Sequence, residues 1–240
     1  MGFASEFCTT HWSVVLSVAR GDSPAAAAAA LESICRAYWS PVYCFVRRRG
    51  YGPQDAEDLT QEFFAELLAR GDFDGLDRSR GKFRSFLIAC LTHFLAKDWR
   101  GRKALKRGGG RTIVPLDGAE AEDRYANEQA TESDPALLFD RQWALAILEQ
   151  ALSALGAEQA AAGKGLQFEQ LRAFLTLAPE LSGYEEASRR LQTTPGAVAA
   201  AVHRLRQRYR DLVRESVAQT VATPIELEEE IRYLLEVLSR

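Results

Sequence analysis

Apolar residues recur at helical spacing along almost the whole chain, and the apolar–polar alternation of a half-buried strand is absent. A short helix is predicted over residues 10–19. Ser23 and Pro24 form an N-cap and first-turn pair. They open a helix through an alanine run, Leu31, Ile34 and Tyr38 to about Arg49 and Gly50, which Pro41 is expected to kink or split. The next helix follows Pro53 and runs to about Leu68. Leu59, Phe63, Phe64, Leu67 and Leu68 share one face; Asp55, Glu57, Asp58, Gln61, Glu62 and Glu66 take much of the rest. Residues 71–81, rich in Gly and Asp, read as a loop. A long helix is expected over 82–106, with Phe83, Phe86, Leu87, Cys90, Leu91, Phe94 and Leu95 as its stripe, and Gly108 to Gly110 end it as a hinge.

Residues 108–134 carry no helical period and are mostly acidic, as a flexible linker would be. Helical spacing resumes at Pro135 with Leu137, Leu138, Trp143, Ile147, Leu148 and Leu152. Further helices are predicted over about 168–177, 184–191, 195–215 and 224–239, the last strongly acidic. The expected fold is all-α, with two small helical domains joined by the acidic linker. The boundaries are 1–107 for the first domain, 108–134 for the linker, 135–215 for the second domain and 216–240 for an acidic helical extension.

Charge sharpens this picture. The chain has 240 residues and a net charge of -3, which by itself argues against a nucleic-acid binder. The charge is unevenly placed, however. Residues 78–111 hold eleven Lys and Arg against Asp98, residues 117–140 hold eight acids against Arg124, and Arg204, Arg206, Arg208 and Arg210 follow. Cys8, Cys35, Cys44 and Cys90 form no CxxC pair and read as reduced core thiols. No leader peptide and no apolar run long enough for a bilayer is evident, so the expected location is the cytoplasm.

Two segments have the chemistry of nucleic-acid binding. In the first, Ala187 and Leu191 precede a turn at Gln192 to Thr194, and Val198, Val202, Leu205, Tyr209 and Leu212 form one buried stripe after it. That spacing predicts a helix-turn-helix whose second helix enters a major groove; an ordinary helical hairpin with a solvated basic face fits as well. Ala199, Ala200, His203, Arg206, Gln207 and Arg210 lie on the other face. The second is the basic helix, where aromatics that stack on bases alternate with cations that hold phosphates. Phe83, Phe86 and Phe94 belong to its apolar stripe, whereas Trp99 and the basic tail from Arg100 do not. The acidic helix 55–68 suits a basic partner surface, though such faces are usually just solvated. No catalytic motif is present, so neither enzyme activity nor a cofactor, metal or small-molecule substrate is expected.

Together, YWSPVYCFVRRRGYGPQDAEDLTQEFFAELL, RGKFRSFLIACLTHFLAKDWRGRKALKR and the turn-flanked pair SGYEEASRRLQTTPGAVAAAVHRLRQRYRDLV resemble bacterial RNA polymerase sigma factors of the extracytoplasmic-function (ECF) group of the sigma-70 family. The first two look like region 2 and the third like region 4. The resemblance implies a cytoplasmic transcription initiation factor that binds core RNA polymerase, recognises promoter DNA and takes part in its opening. Asp55, Glu57, Asp58, Gln61 and Glu62 would contact core polymerase. Arg78, Arg80, Lys82, Arg84, Lys97, Trp99, Arg100, Arg102 and Lys103 would bind the -10 element. Thr194, Ala199, Ala200, His203, Arg204, Arg206 and Arg210 would bind the -35 element. Alanines at 199, 200 and 201 depart from the polar or basic residues of many members and leave base reading there to His203, Arg204 and Arg206. An anti-sigma partner is compatible with the resemblance. The alternative is a stand-alone helix-turn-helix regulator of transcription. For the acidic extension, packing on the second domain is the simpler expectation, and folding back over a basic face as a brake is the other.

Overall fold

The computed structural model describes residues 24–69, 82–104, 121–122, 125, 134–175, 181–221 and 223–239. The predicted helix over 10–19, the loop over 71–81 and the glycine hinge lie outside them. Among the described residues every regular element is helical. The helices are α1 (Pro24–Arg48), α2 (Pro53–Ala69), α3 (Phe83–Ala104), α4 (Pro135–Ala161), α5 (Gly165–Leu171), α6 (Leu181–Arg190), α7 (Pro195–Ala218) and α8 (Pro224–Ser239). A short 3-10 turn, Arg172–Leu175, follows α5. None of these helices is long and apolar enough to cross a membrane.

Five helices begin on proline, where the missing N–H lacks a helical partner in any case. Pro41 behaves differently. It is buried inside α1, and the helix runs past it unbroken. Tyr38, Val42, Tyr43 and Phe45 are almost wholly buried on either side of it, and this packing offsets the lost backbone bond. Gly50, at φ 92, ends the first helix in a left-handed turn that only glycine adopts without strain.

The chain divides into two units, one of residues 1–146 with 217–240 and the other of residues 147–216. This division differs from the sequence boundaries at both ends. Residues 135–146 go with the first unit because Leu138, Phe139 and Trp143 are part of its core. Phe139 stacks on Tyr38 at 6.4 Å and meets Phe45 edge-on at 6.4 Å. Tyr38 in turn meets Phe83 at 5.4 Å, and Phe63 meets Phe94 at 5.7 Å, so aromatic side chains link α1, α2, α3 and the start of α4. The acidic extension also joins this unit and not the second domain. Val217, Val221, Leu234 and Val237 are buried, and the Phe83 N–H at the head of α3 donates to the Thr220 carbonyl at 3.4 Å.

Part of the expected flexible linker is held as well. Ala121, Glu122 and Tyr125 are helical, and Ala121 and Tyr125 are buried. Both oxygens of Glu122 accept from the Arg47 guanidinium at 2.8 Å, the Tyr43 hydroxyl also donates to Glu122, and Arg47 lies 4.7 Å over the Tyr125 ring.

The second unit is built on Leu155, Phe168, Leu171, Ala187, Val198, Val202, Leu205 and Leu212. The Tyr209 hydroxyl donates to the Leu148 carbonyl at 3.1 Å, tying α7 to this part of α4. Between α6 and α7 the Thr193 and Gln192 N–H groups donate to the carbonyls of Ser188 and Arg189 at 2.9 and 3.3 Å. This is a Schellman closure with Gln192 as its left-handed residue, φ 50. Thr194 then caps α7, its hydroxyl accepting the Ala197 N–H at 3.2 Å.

Candidate nucleic-acid and partner interface

On α2 the apolar spacing buries Ala56, Leu59, Phe63, Phe64 and Leu67, with Thr60 among them donating back to the Ala56 carbonyl at 2.7 Å. Burial of that face turns Asp55, Asp58 and Glu62 outward, one helical turn apart in succession. Glu57 and Gln61 are half-buried at its margin. Among the described residues Asp58 and Glu62 form no ion pair, whereas Glu66 accepts from Lys97 of α3 at 2.9 Å. Asp55 in the first turn also complements the positive end of the helix dipole. The five acidic and amide side chains predicted to meet a partner therefore share one accessible side of α2.

The cations of α3 fare differently. Lys97 is exposed and paired with Glu66. Trp99, Arg100, Arg102 and Lys103 fall within the helical span of α3, while Arg78 and Arg80 lie outside the described residues. The expectation that Arg84 meets DNA needs correcting, since the side chain is buried. Its guanidinium donates to Asp140 of α4 and, at 3.1 Å, to Glu230 of α8, and it lies 4.3 Å over the ring of Tyr233 and 5.2 Å over that of Trp143. Burial by itself would depress the Arg84 pKa. Asp140 and Glu230 more than reverse that and hold it above its ordinary value, so the side chain stays charged. Tyr233 donates to the other oxygen of Asp140. Burial first, and this bond second, raise its phenol above the usual range. Lys82, three-quarters buried, places its ammonium 2.6 Å from Glu230 and 5.7 Å from the Tyr233 ring.

Asp140, Tyr233 and Glu230 were not among the sequence candidates, nor were Arg47 and Glu122. A signal for the first cluster was available. Arg84 is three and seven residues before Leu87 and Leu91, Asp140 three before Trp143, and Glu230 four before Leu234. Each charge thus occupies a core position of its own helical stripe, where only a partner makes it tolerable.

On α7 the stripe Val198, Val202, Leu205 and Leu212 is buried and Tyr209 partly so, against Ala187 and Leu191 of the preceding helix and turn. The outward side presents Ala200, His203, Arg204, Gln207 and Arg210, with Ala199 half-buried beside them and Thr194 exposed at the head of the helix. Among the described residues Arg204 and Arg210 form no ion pair. Arg206 does not point the same way. Its guanidinium donates twice to the Phe174 carbonyl, at 2.9 and 2.6 Å, bracing the chain after α5. Arg208 is held by Glu158 and Glu215 at 2.7 and 2.8 Å.

Among the described residues Cys35, Cys44 and Cys90 are thiols and not disulfides, and Cys8 lies outside the described residues. Burial pushes the Cys35 thiol up to about 11, so it stays protonated at neutral pH.

Residues 34–104 match the family model for Sigma-70 region 2. The matched span runs from the middle of α1 to the end of α3, and so takes in both the acidic side of α2 and the basic helix. Region 2 of sigma-70 factors binds core RNA polymerase and promoter DNA, and the match supports a sigma-factor role in promoter recognition. No curated protein and no solved structure matches the chain.

Proposed function

We propose that the chain is a sigma factor of the ECF group, which binds core RNA polymerase through α2 and promoter DNA through α3 and the α6–α7 pair. The observation that carries this reading is the Sigma-70 region 2 match over α1–α3, together with the outward row Asp55, Asp58 and Glu62. The row offers a basic partner a surface that DNA binding alone does not require. The α6–α7 pair acts as a helix-turn-helix on the -35 element, with His203, Arg204 and Arg210 toward DNA and Thr194 at its head. Its alanine-lined face supplies few base-specific donors, so phosphate contacts and DNA shape do most of the work there. Arg206 serves the fold of the second unit.

The test is co-elution of the purified full chain with bacterial core RNA polymerase, beside an Asp58→Arg, Glu62→Arg variant. Reversing both charges abolishes co-elution if α2 carries the contact. A wild-type chain that never co-elutes but still binds DNA with a steep salt dependence would instead be a stand-alone DNA-binding regulator.

A further inference from the structure

Glu230 is the most deeply placed residue of α8, and it is a carboxylate. Two cations from the head of α3 converge on it, Lys82 at 2.6 Å and Arg84 at 3.1 Å. With α8 in place, Lys82 and Arg84 face the carboxylates of Glu230 and Asp140, two against two. Without α8, the same two cations face Asp140 alone, which Arg84 already holds. The charge left over is that of Lys82.

We propose that α8 is an autoinhibitory cover on the first turn of α3, with Glu230 standing where a DNA phosphate would meet Lys82. This rests on the reading of α3 as a promoter-binding helix. Arg84 is the positioning residue. Fixed by Asp140 and by the ring of Trp143, both on α4, it presents a constant donor to Glu230 whether or not DNA is near.

Three features suit a cover that lifts. Of the sixteen residues of α8 only Glu230, Leu234 and Val237 are fully buried, so its apolar hold is narrow. The helix carries its own start signal, a capping box in which the Thr223 hydroxyl accepts the Glu226 N–H at 3.2 Å and Glu226 accepts the Thr223 N–H at 3.3 Å, so its first turn is fixed by its own residues and not by the surface it covers. A buried ion pair is also a poor source of net stability compared with apolar packing, whereas it fixes which surfaces meet.

The experiment measures binding of the full chain to a forked promoter-like duplex by fluorescence anisotropy across a series of NaCl concentrations, with core polymerase co-elution run in parallel. Glu230→Gln keeps the shape and removes the charge that neutralises Lys82. It should tighten DNA binding about threefold or more at low salt and steepen the slope of log K against log salt by about one, the value for one further phosphate contact. Glu236→Gln removes an equal charge from the exposed side of the same helix and should leave both quantities unchanged. Equal effects from the two variants would mean a general charge effect and overturn the cover. Should Glu230→Gln weaken the fold, hydrogen exchange on the wild-type chain decides instead: α8 loses protection when polymerase and the duplex bind, and protection that persists over 223–239 overturns the proposal. Unchanged DNA binding with intact co-elution sinks the cover and leaves the sigma reading standing. Absence of co-elution in every form, wild type included, removes that reading and the cover with it.

Discussion

Single charged side chains set much of the specificity in the first unit. Arg84 is buried between two carboxylates, so truncating it leaves Asp140 without a cation and Glu230 with Lys82 alone. Arg84→Ala should cost about 3–5 kcal/mol, the usual consequence of leaving buried charge unmatched. Urea unfolding of the full chain reads this directly, and a loss under 1 kcal/mol would show that the cluster is hydrated. Glu122 gives a pH-dependent counterpart. The Arg47 guanidinium foremost, with help from Tyr43, holds its carboxyl below the ordinary glutamate range against the opposing effect of partial burial. Its contribution is therefore complete above about pH 4.3, the ordinary value, and fades as pH falls through the depressed folded-state value. Protection factors at Ala121, Glu122 and Tyr125, corrected for intrinsic exchange, should fall in that acidic window. In a Glu122→Gln chain they should be low already at neutral pH and show no step. At this scale the sequence was half legible. Arg84 shares the expected helix 82–106 with the cations Lys82 and Lys97, which points to DNA, whereas its spacing to Leu87 and Leu91 puts it on the apolar stripe. The Arg47–Glu122 pair joins residues 75 apart, and no local pattern announces a pairing at that distance.

Helices were the most readable part of the chain. Prolines at 24, 53, 135, 195 and 224 open helices in the structure as their first-turn preference predicts. The last helix was expected over 224–239 and spans those residues. The helix expected over 168–177 instead begins at Gly165 and tightens into a 3-10 turn after Leu171. Phe168 and Leu171 supplied the apolar signal, but the start is set by the left-handed Gly163, which closes α4 as Lys164 donates to the Gln159 carbonyl at 2.8 Å. The α6–α7 turn has the same closure with Gln192 in the left-handed position. Gln192→Gly should thus stabilise the second unit by roughly 0.5–1 kcal/mol, the relief of the Cβ clash less the extra chain entropy of glycine. A higher urea midpoint with an unchanged m value is the expected signature. A lower midpoint would mean that the Gln192 side chain holds the turn.

For the whole molecule, the helical fold class was plain from periodicity, whereas the division into units was not. Sequence patterning sees a break in helical spacing at 108–134 and draws a boundary there. It cannot see that Leu138, Phe139 and Trp143 on one side complete the core of Tyr38 and Phe45 on the other. A fragment of residues 1–107 lacks these side chains and α8, and should show no cooperative thermal transition by circular dichroism, while the full chain does. A sharp transition in that fragment would show α1–α3 to be self-sufficient. Deleting 223–240 from the full chain should lower protection within 24–146 and leave 147–216 as before, because the buried apolar side chains of α8 belong to the first unit.

The bond between Arg84 and Glu230 joins residues 146 positions apart. A ribosome delivers the first partner long before the second. Residues 147–216 are all made before 217–240, the closing segment that the earlier-made helices wait for. During that interval Lys82 and the apolar side chains beneath α8 lack their cover, while Arg84 already has Asp140. Closure waits for residues 217–240, so the unit that begins first is completed after the continuous one.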